Sequence, residues 1–320
     1  MIRLALLAGL LATGATAQLV APVLPSDATP PAPLGPGVIG TPAGTGAWPA
    51  VAESVADAPG YTLYHPARMP AKMPLLLWGN GGCKDNGLAA SRFLREVASH
   101  GYFIVANGAP RFERPPVDVL PAVNGRSPGN SPPVTTPDET KVEQLLAAIG
   151  WAEGANKAGP FKGRIDTSRI AVMGTSCGGL QSLKAGADPR IDTVIAFNSG
   201  VYNRPNNAPG RLAMVKDDLK KLHTPVAYIL GGPDDIAYEN GSDDVERIAH
   251  VPVFYGNLPV GHSGTYQLPN GGAYGRVAVA WFDWQLKKDR KAGAMFAGKD
   301  CGLCTDKNWT IVRKQFPEKP

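Results

Sequence analysis

Long apolar runs, blocks of like charge and cysteines are all scarce in this sequence, and each scarcity narrows what the chain can be. Beyond the first 17 residues no apolar stretch is long enough to cross a bilayer, so no membrane span is expected. Charged residues make up 18% of the 320, and 32 Lys and Arg against 27 Asp and Glu leave a formal +5 with no basic block. That balance makes nucleic acid a poor partner. No glycine-rich loop carries the lysine of a phosphate cradle, and no G-x-G-x-x-G stands at a strand-to-helix turn, so no cofactor is expected. No internal repeat is present. The cysteines number only four, and Cys301 and Cys304 lack the second pair that a zinc site needs.

What is present begins with Met1-Ile-Arg3, an apolar stretch from Leu4 to Gly14, and Ala15-Thr16-Ala17. A short basic start, an apolar run too short to span and an Ala-x-Ala site predict a secretory signal over 1–17, cut after Ala17. The mature protein is therefore expected to be secreted or periplasmic, where disulfides form. Three pairings of the cysteines are open. Cys301–Cys304 as a small local bridge leaves Cys83 with Cys177; the alternatives are buried free thiols at 83 and 177, or a redox motif at 301–304. Residues 18–49, rich in Pro, Gly and Ala, read as an extended leader. The length suits one domain over 50–290, followed by a C-terminal tail over 291–320. The domain is expected to be a monomer.

Within 50–290, short apolar runs alternate with amphipathic segments. Strands are expected at Tyr61–His65, Met73–Trp78, Tyr102–Ala106, Arg169–Met173, Thr193–Phe197, Val226–Leu230 and Val251–Tyr255. Helices are expected over Leu88–His100, after a cap at Asp138, after Ser176, over Leu212–Leu222 and Asp243–Ile248, and over Arg276–Lys287. Alternation of this kind predicts an α/β fold, a mostly parallel sheet with helices on both faces. The segment 110–137 is proline-rich and without periodicity, which marks an insertion or a lid-like loop.

Gly174-Thr-Ser176-Cys-Gly178 follows one predicted strand and opens a helix. In that context Gly-x-Ser-x-Gly lifts a serine onto a strained tip where its oxygen is exposed. Ligands of open parallel sheets collect at the carboxyl ends of the strands. Reading those ends in turn, Gly231-Gly-Pro-Asp234-Asp235 supplies an acid, with Asp234 the first choice and Asp235 the alternative. Gly261-His262-Ser263 supplies the only histidine of five that follows a strand. The turn Trp78-Gly-Asn80-Gly81-Gly82-Cys83 offers backbone N–H groups that could hold an oxyanion. Asn80 is preferred, with Gly81 possible, and the amide of Cys177 would be the second donor.

Together, Gly174-Thr-Ser176-Cys-Gly178-Gly179, Asp234-x-Ile236-Ala237, Gly261-His262 and Gly79-Asn80 resemble the α/β-hydrolase superfamily. The likeness covers roughly residues 61–286. It is strongest to the branch of secreted cutinase-like polyester hydrolases, lipases and dienelactone-hydrolase-like esterases. The resemblance implies Ser176 as nucleophile, His262 as base, Asp234 as acid, and Asn80 and Cys177 as oxyanion donors. It implies cleavage of a small or polymeric ester through an acyl-enzyme, without metal or cofactor. The chain departs from polyester hydrolases at Cys177, where they usually carry methionine, and at Asn80, where they often carry tyrosine. The 110–137 segment is also longer than a bare cutinase needs. Other readings are a peptidase or lactone hydrolase on the same scaffold, a non-catalytic binding protein, and a thiol oxidoreductase using Cys301 and Cys304.

Overall fold

A run such as Leu75-Leu-Leu-Trp78 has no polar face, so as a strand it needs apolar cover on both sides. The computed structural model, which describes residues 38–120, 136–316 and 318–319, provides that cover. All these residues belong to one compact unit. The described strands are β1 (Ala50–Glu53), β2 (Tyr61–Pro66), β3 (Met73–Gly79), β4 (Phe103–Asn107), β5 (Ile165–Thr175), β6 (Thr193–Phe197), β7 (Val226–Leu230), β8 (Val253–Asn257) and β9 (Thr310–Lys314). They form one sheet in the order β1-β2-β4-β3-β5-β6-β7-β8-β9. From β4 to β8 every neighbour is parallel, while β1, β2 and β9 add antiparallel edges. The expected mostly parallel α/β architecture is therefore present.

The helices are α1 (Ser91–Ser99), α2 (Val142–Ala155), α3 (Cys177–Ala185), α4 (Tyr238–Arg247), α5 (Gly272–Lys287) and α6 (Arg290–Gly293). Alternate residues of the central strands feed two cores. Leu76, Trp78, Met173, Ile195 and Phe197 pack with Phe93 of α1 and Trp281 of α5. Leu75, Leu77, Val172, Val194 and Tyr228 pack with Leu145 of α2, Leu183 of α3 and Val245 of α4. No helix among the described residues is long and apolar enough to cross a membrane.

The chain passes from β3 to β4 on one side and returns to β5 on the other, so the strand order reverses at β3. At this switch point three backbones touch. A Cβ at Gly178, in the first turn of α3, would land on the carbonyl of Gly79. One at Gly174 would land on the carbonyl of Gly178. Only glycine lets α3 lie this close to the ends of β3 and β5.

Several expectations need correction. The described part of the leader is pinned to the fold: Gly40 N–H donates to Ala52 (3.0 Å) and Trp48 N–H to Ser99 (3.0 Å). Its backbone groups find partners despite the lack of periodicity. The tail supplies β9, whose residues 310–314 pair with β8, so the fold does not close at α5. Asp138 does not cap α2, which starts from Lys141. Its buried carboxylate is instead taken by Arg211 at 2.8 Å and by Leu212 N–H at 2.7 Å. Residues 212–222 make only a short 3-10 turn over Lys216–Lys221.

The signal segment 1–17 and most of the 110–137 insertion (residues 121–135) lie outside the described residues. Cys83 is bonded to Cys177 and Cys301 to Cys304, pairings consistent with an extracellular protein.

The glycine contact yields a stability prediction. Overpacking a site that cannot relax costs about 1–3 kcal/mol. Gly178→Ala should fall at or beyond the upper end of that range, because what it meets is backbone. Urea unfolding of Gly178→Ala, with the helix-surface Gly150→Ala as control, checks this. Equal midpoints for the two variants would contradict the interlock.

Candidate active site

Ser176 stands between β5 and α3 with φ 53° and ψ −119°. For a residue with a Cβ this conformation costs on the order of 1–3 kcal/mol and survives only where the surroundings enforce it. Here Ser176 N–H donates to the Phe197 carbonyl (3.0 Å), and Ser199 Oγ donates to the Ser176 carbonyl (2.7 Å). Ser176 Oγ lies 3.0 Å from His262 Nε2, and His262 Nδ1 lies 2.6 Å from Asp235 Oδ1. An ionised carboxylate can only accept, so Nδ1 carries the proton and Nε2 presents its lone pair to the serine hydroxyl. The other histidines bond elsewhere: His65 to Glu53, His100 to Glu96, and His223 and His250 to backbone carbonyls.

The carboxylate that reaches His262 is that of Asp235, the alternative, and not that of Asp234, the first choice. Asp235 N–H bonds back to the Gly232 carbonyl (2.9 Å), closing a turn that leaves Asp234 partly exposed and carries Asp235 inward. The Asp235 carboxylate is 0% exposed and accepts four hydrogen bonds. Those to Oδ1 come from His262 and Ala237 N–H (2.9 Å), and those to Oδ2 from Gly231 N–H (2.9 Å) and Asn198 Nδ2 (2.8 Å). The acid and histidine loops are also joined directly, Gly261 N–H donating to the Gly231 carbonyl at 2.8 Å.

Asn198 was not anticipated. It leaves β6 in the left-handed region (φ 43°), which asparagine tolerates better than most residues. Besides Asp235, its Nδ2 reaches the Gly261 carbonyl (3.2 Å), while Tyr266 donates to its Oδ1 (2.8 Å). The signal was available: Asn198-Ser199-Gly200 follows a predicted strand as Asp235 and His262 do. Burial pushes the phenols of Tyr266 and Tyr274 far up, so both remain neutral; Tyr266 donates into this network, and the Tyr274 hydroxyl accepts from Asn198 Nδ2 (3.3 Å).

Asn80 lies beside Ser176, with its side chain turned inward. It accepts from Trp78 Nε1 (2.8 Å) and donates to the carbonyls of Lys84 (3.2 Å) and Asn107, which fixes the turn after β3. The Cys83–Cys177 bridge ties that turn to the residue after Ser176. Cys83, Asp138 and Cys177 bring potential ligand atoms together. Both sulfurs are spent in the bridge and Asp138 is paired with Arg211, so the group offers no metal ligand set.

Two hollows flank the Ser176–His262 pair. The larger, about 180 Å³, is lined by Trp78, Asn80, Gly81, Arg114, Tyr266 and Gln267 among others. The smaller, about 50 Å³, is bounded by Leu180, Tyr202 and Ile236. A hydroxyl held by an imidazole that is oriented by a buried carboxylate can give up its proton as it attacks an electrophilic carbon.

Burial alone would push the Asp235 carboxyl up. The hydrogen bond and charge of His262, with the amides of Ala237 and Gly231, outweigh it and hold the carboxyl below the usual value. A depressed folded value gives stabilisation that is fully present above the unfolded value of about 4 and lost as pH falls through the folded one. Wild type should therefore lose stability more steeply than Asp235→Asn as pH falls from about 5 to 3. Urea midpoints at several pH values check this, and parallel curves would contradict it.

A scan against protein-family models finds no match to this chain, and a search of curated proteins finds none that is significantly similar.

Proposed function

We propose that this protein is a secreted serine hydrolase of the α/β-hydrolase type that cleaves carboxylic esters through an acyl-enzyme. The observation that carries the proposal is the continuous chain Ser176 Oγ, His262 Nε2, His262 Nδ1, Asp235 Oδ1, with links of 3.0 and 2.6 Å.

In the proposed cycle His262 takes the Ser176 proton as Oγ attacks the ester carbonyl. Asp235 stabilises the imidazolium that forms and keeps the ring in register. The oxyanion is held by the amide of Cys177 and by one from the turn at Asn80 and Gly81. Support for the Cys177 donor comes from its place as first residue of α3, where an N–H has no acceptor within the helix and the helix dipole favours negative charge. The Cys83–Cys177 bridge then serves to keep the two donors at a fixed separation. His262 returns the proton to the departing alkoxide, and water repeats the sequence to release the acid.

A buried, fully hydrogen-bonded acid behind a partly exposed histidine supports catalysis over a binding role, since neither feature is needed to hold a ligand. The modest size of the larger hollow supports esters with short groups.

The test is hydrolysis of 4-nitrophenyl esters from acetate to palmitate. Activity should peak at short chains, and Ser176→Ala should lower kcat by about 10⁶. Asp235→Asn should lower it by about 10⁴ through the wrong tautomer, whereas Asp234→Asn should stay within severalfold of wild type. Turnover undiminished in Ser176→Ala would overturn the proposal. Equal losses at 234 and 235 would overturn the role given to Asp235.

A further inference from the structure

We infer that the substrate carries a carboxylate, or an equivalent fixed negative charge, on the part that fills the larger hollow, and that Arg114 recognises it. This rests on the serine-hydrolase proposal and adds a substrate class to it.

The charged or titratable groups facing this hollow are Arg114, His262 and the neutral phenol of Tyr266, and no Asp or Glu among the described residues lines it. Arg114 is exposed and held by no ion pair among the described residues. Its neighbours differ: Arg111 pairs with Asp85, and Arg92 and Arg95 with Glu113. Residues 121–135 contain no Asp or Glu that could serve Arg114 instead. A single cation in a concave site free of acids raises the local concentration of anions.

The backbone around Arg114 is fixed although it belongs to no helix or strand. On one side, Asn86 brackets Phe112, accepting from its N–H (3.2 Å) and donating to its carbonyl (3.0 Å). Glu113, its side chain only 4% exposed, bonds to Arg95 at 2.9 Å and to Ser91. On the other side, Val117 N–H donates to the Gln267 carbonyl (3.1 Å), and Gln267 is itself held to Ala89 (2.8 Å). Anchors on both sides fix the backbone that carries Arg114 at the hollow, which lowers the ordering cost of binding. Its planar fork suits a carboxylate better than a neutral ester or alcohol.

Two matched pairs of substrates test this, one for each side of the ester bond. Monomethyl glutarate against dimethyl glutarate places the charge on the acyl part. 4-Acetoxybenzoate against methyl 4-acetoxybenzoate places it on the leaving group. In at least one pair the anion should be preferred about tenfold in kcat/KM, mainly through KM, and added salt should shrink the preference. Arg114→Gln should abolish the preference, and Arg114→Lys should restore part of it. Neutral members preferred in both pairs, or an anion preference that survives Arg114→Gln, would overturn the inference. Neutral esters cleaved without any preference for the anion, with activity lost in Ser176→Ala, would overturn the inference and leave the hydrolase proposal standing. No cleavage of any of the four would overturn both.

Discussion

Three glycine backbones in contact, Gly79 at the end of β3, Gly174 in β5 and Gly178 in α3, set the geometry on which the rest depends. Because α3 approaches so closely, the chain between β5 and α3 must turn within one residue, and that residue is Ser176, held in the left-handed region. The strain is supported from both sides by Phe197 and Ser199. The same contact brings the turn after β3 against the start of α3, where Cys83 and Cys177 join. One packing constraint thus places the serine, the first amide of α3 and the Asn80 turn at one end of the sheet.

The second determinant is electrostatic. A carboxylate with no solvent exposure is costly unless its lone pairs are satisfied, and Asp235 is satisfied four times over. Its partners come from the exits of β6, β7 and β8, so the network also fixes the loops that bear it. Asn198 and Tyr266 extend the network to Thr175, beside the serine, with the Tyr266 hydroxyl 3.0 Å from Thr175 Oγ1. His262, with 30% of its side chain exposed, is the member that meets both this interior and solvent.

Much of this was legible in the sequence because it follows from local rules. Unbroken apolar runs such as Leu75-Leu-Leu-Trp78 announced buried parallel strands, and a histidine after a strand, as at Gly261-His262, could be told from four that are not. The choice between Asp234 and Asp235 was not legible. It depends on which side of a four-residue turn faces the sheet, and adjacent residues of the same type carry no pattern. Asp138 read as a helix cap because aspartate favours that place, but its partner Arg211 lies 73 positions away in sequence. β9 was missed for a similar reason: residues 310–314 are partly exposed on an edge and alternate too weakly to stand out. Long-range pairing decided the last two.

The claim that Ser176, His262 and Asp235 act as one acyl-transfer unit is tested most directly by trapping its intermediate. Rapid acid quench of wild type with 4-nitrophenyl acetate, followed by mass analysis of the digested protein, should find an acetyl group on the peptide containing Ser176. It should form in a burst with nitrophenol release and decay at the turnover rate. Turnover with no such adduct, or with the acetyl group on another residue, would contradict the account.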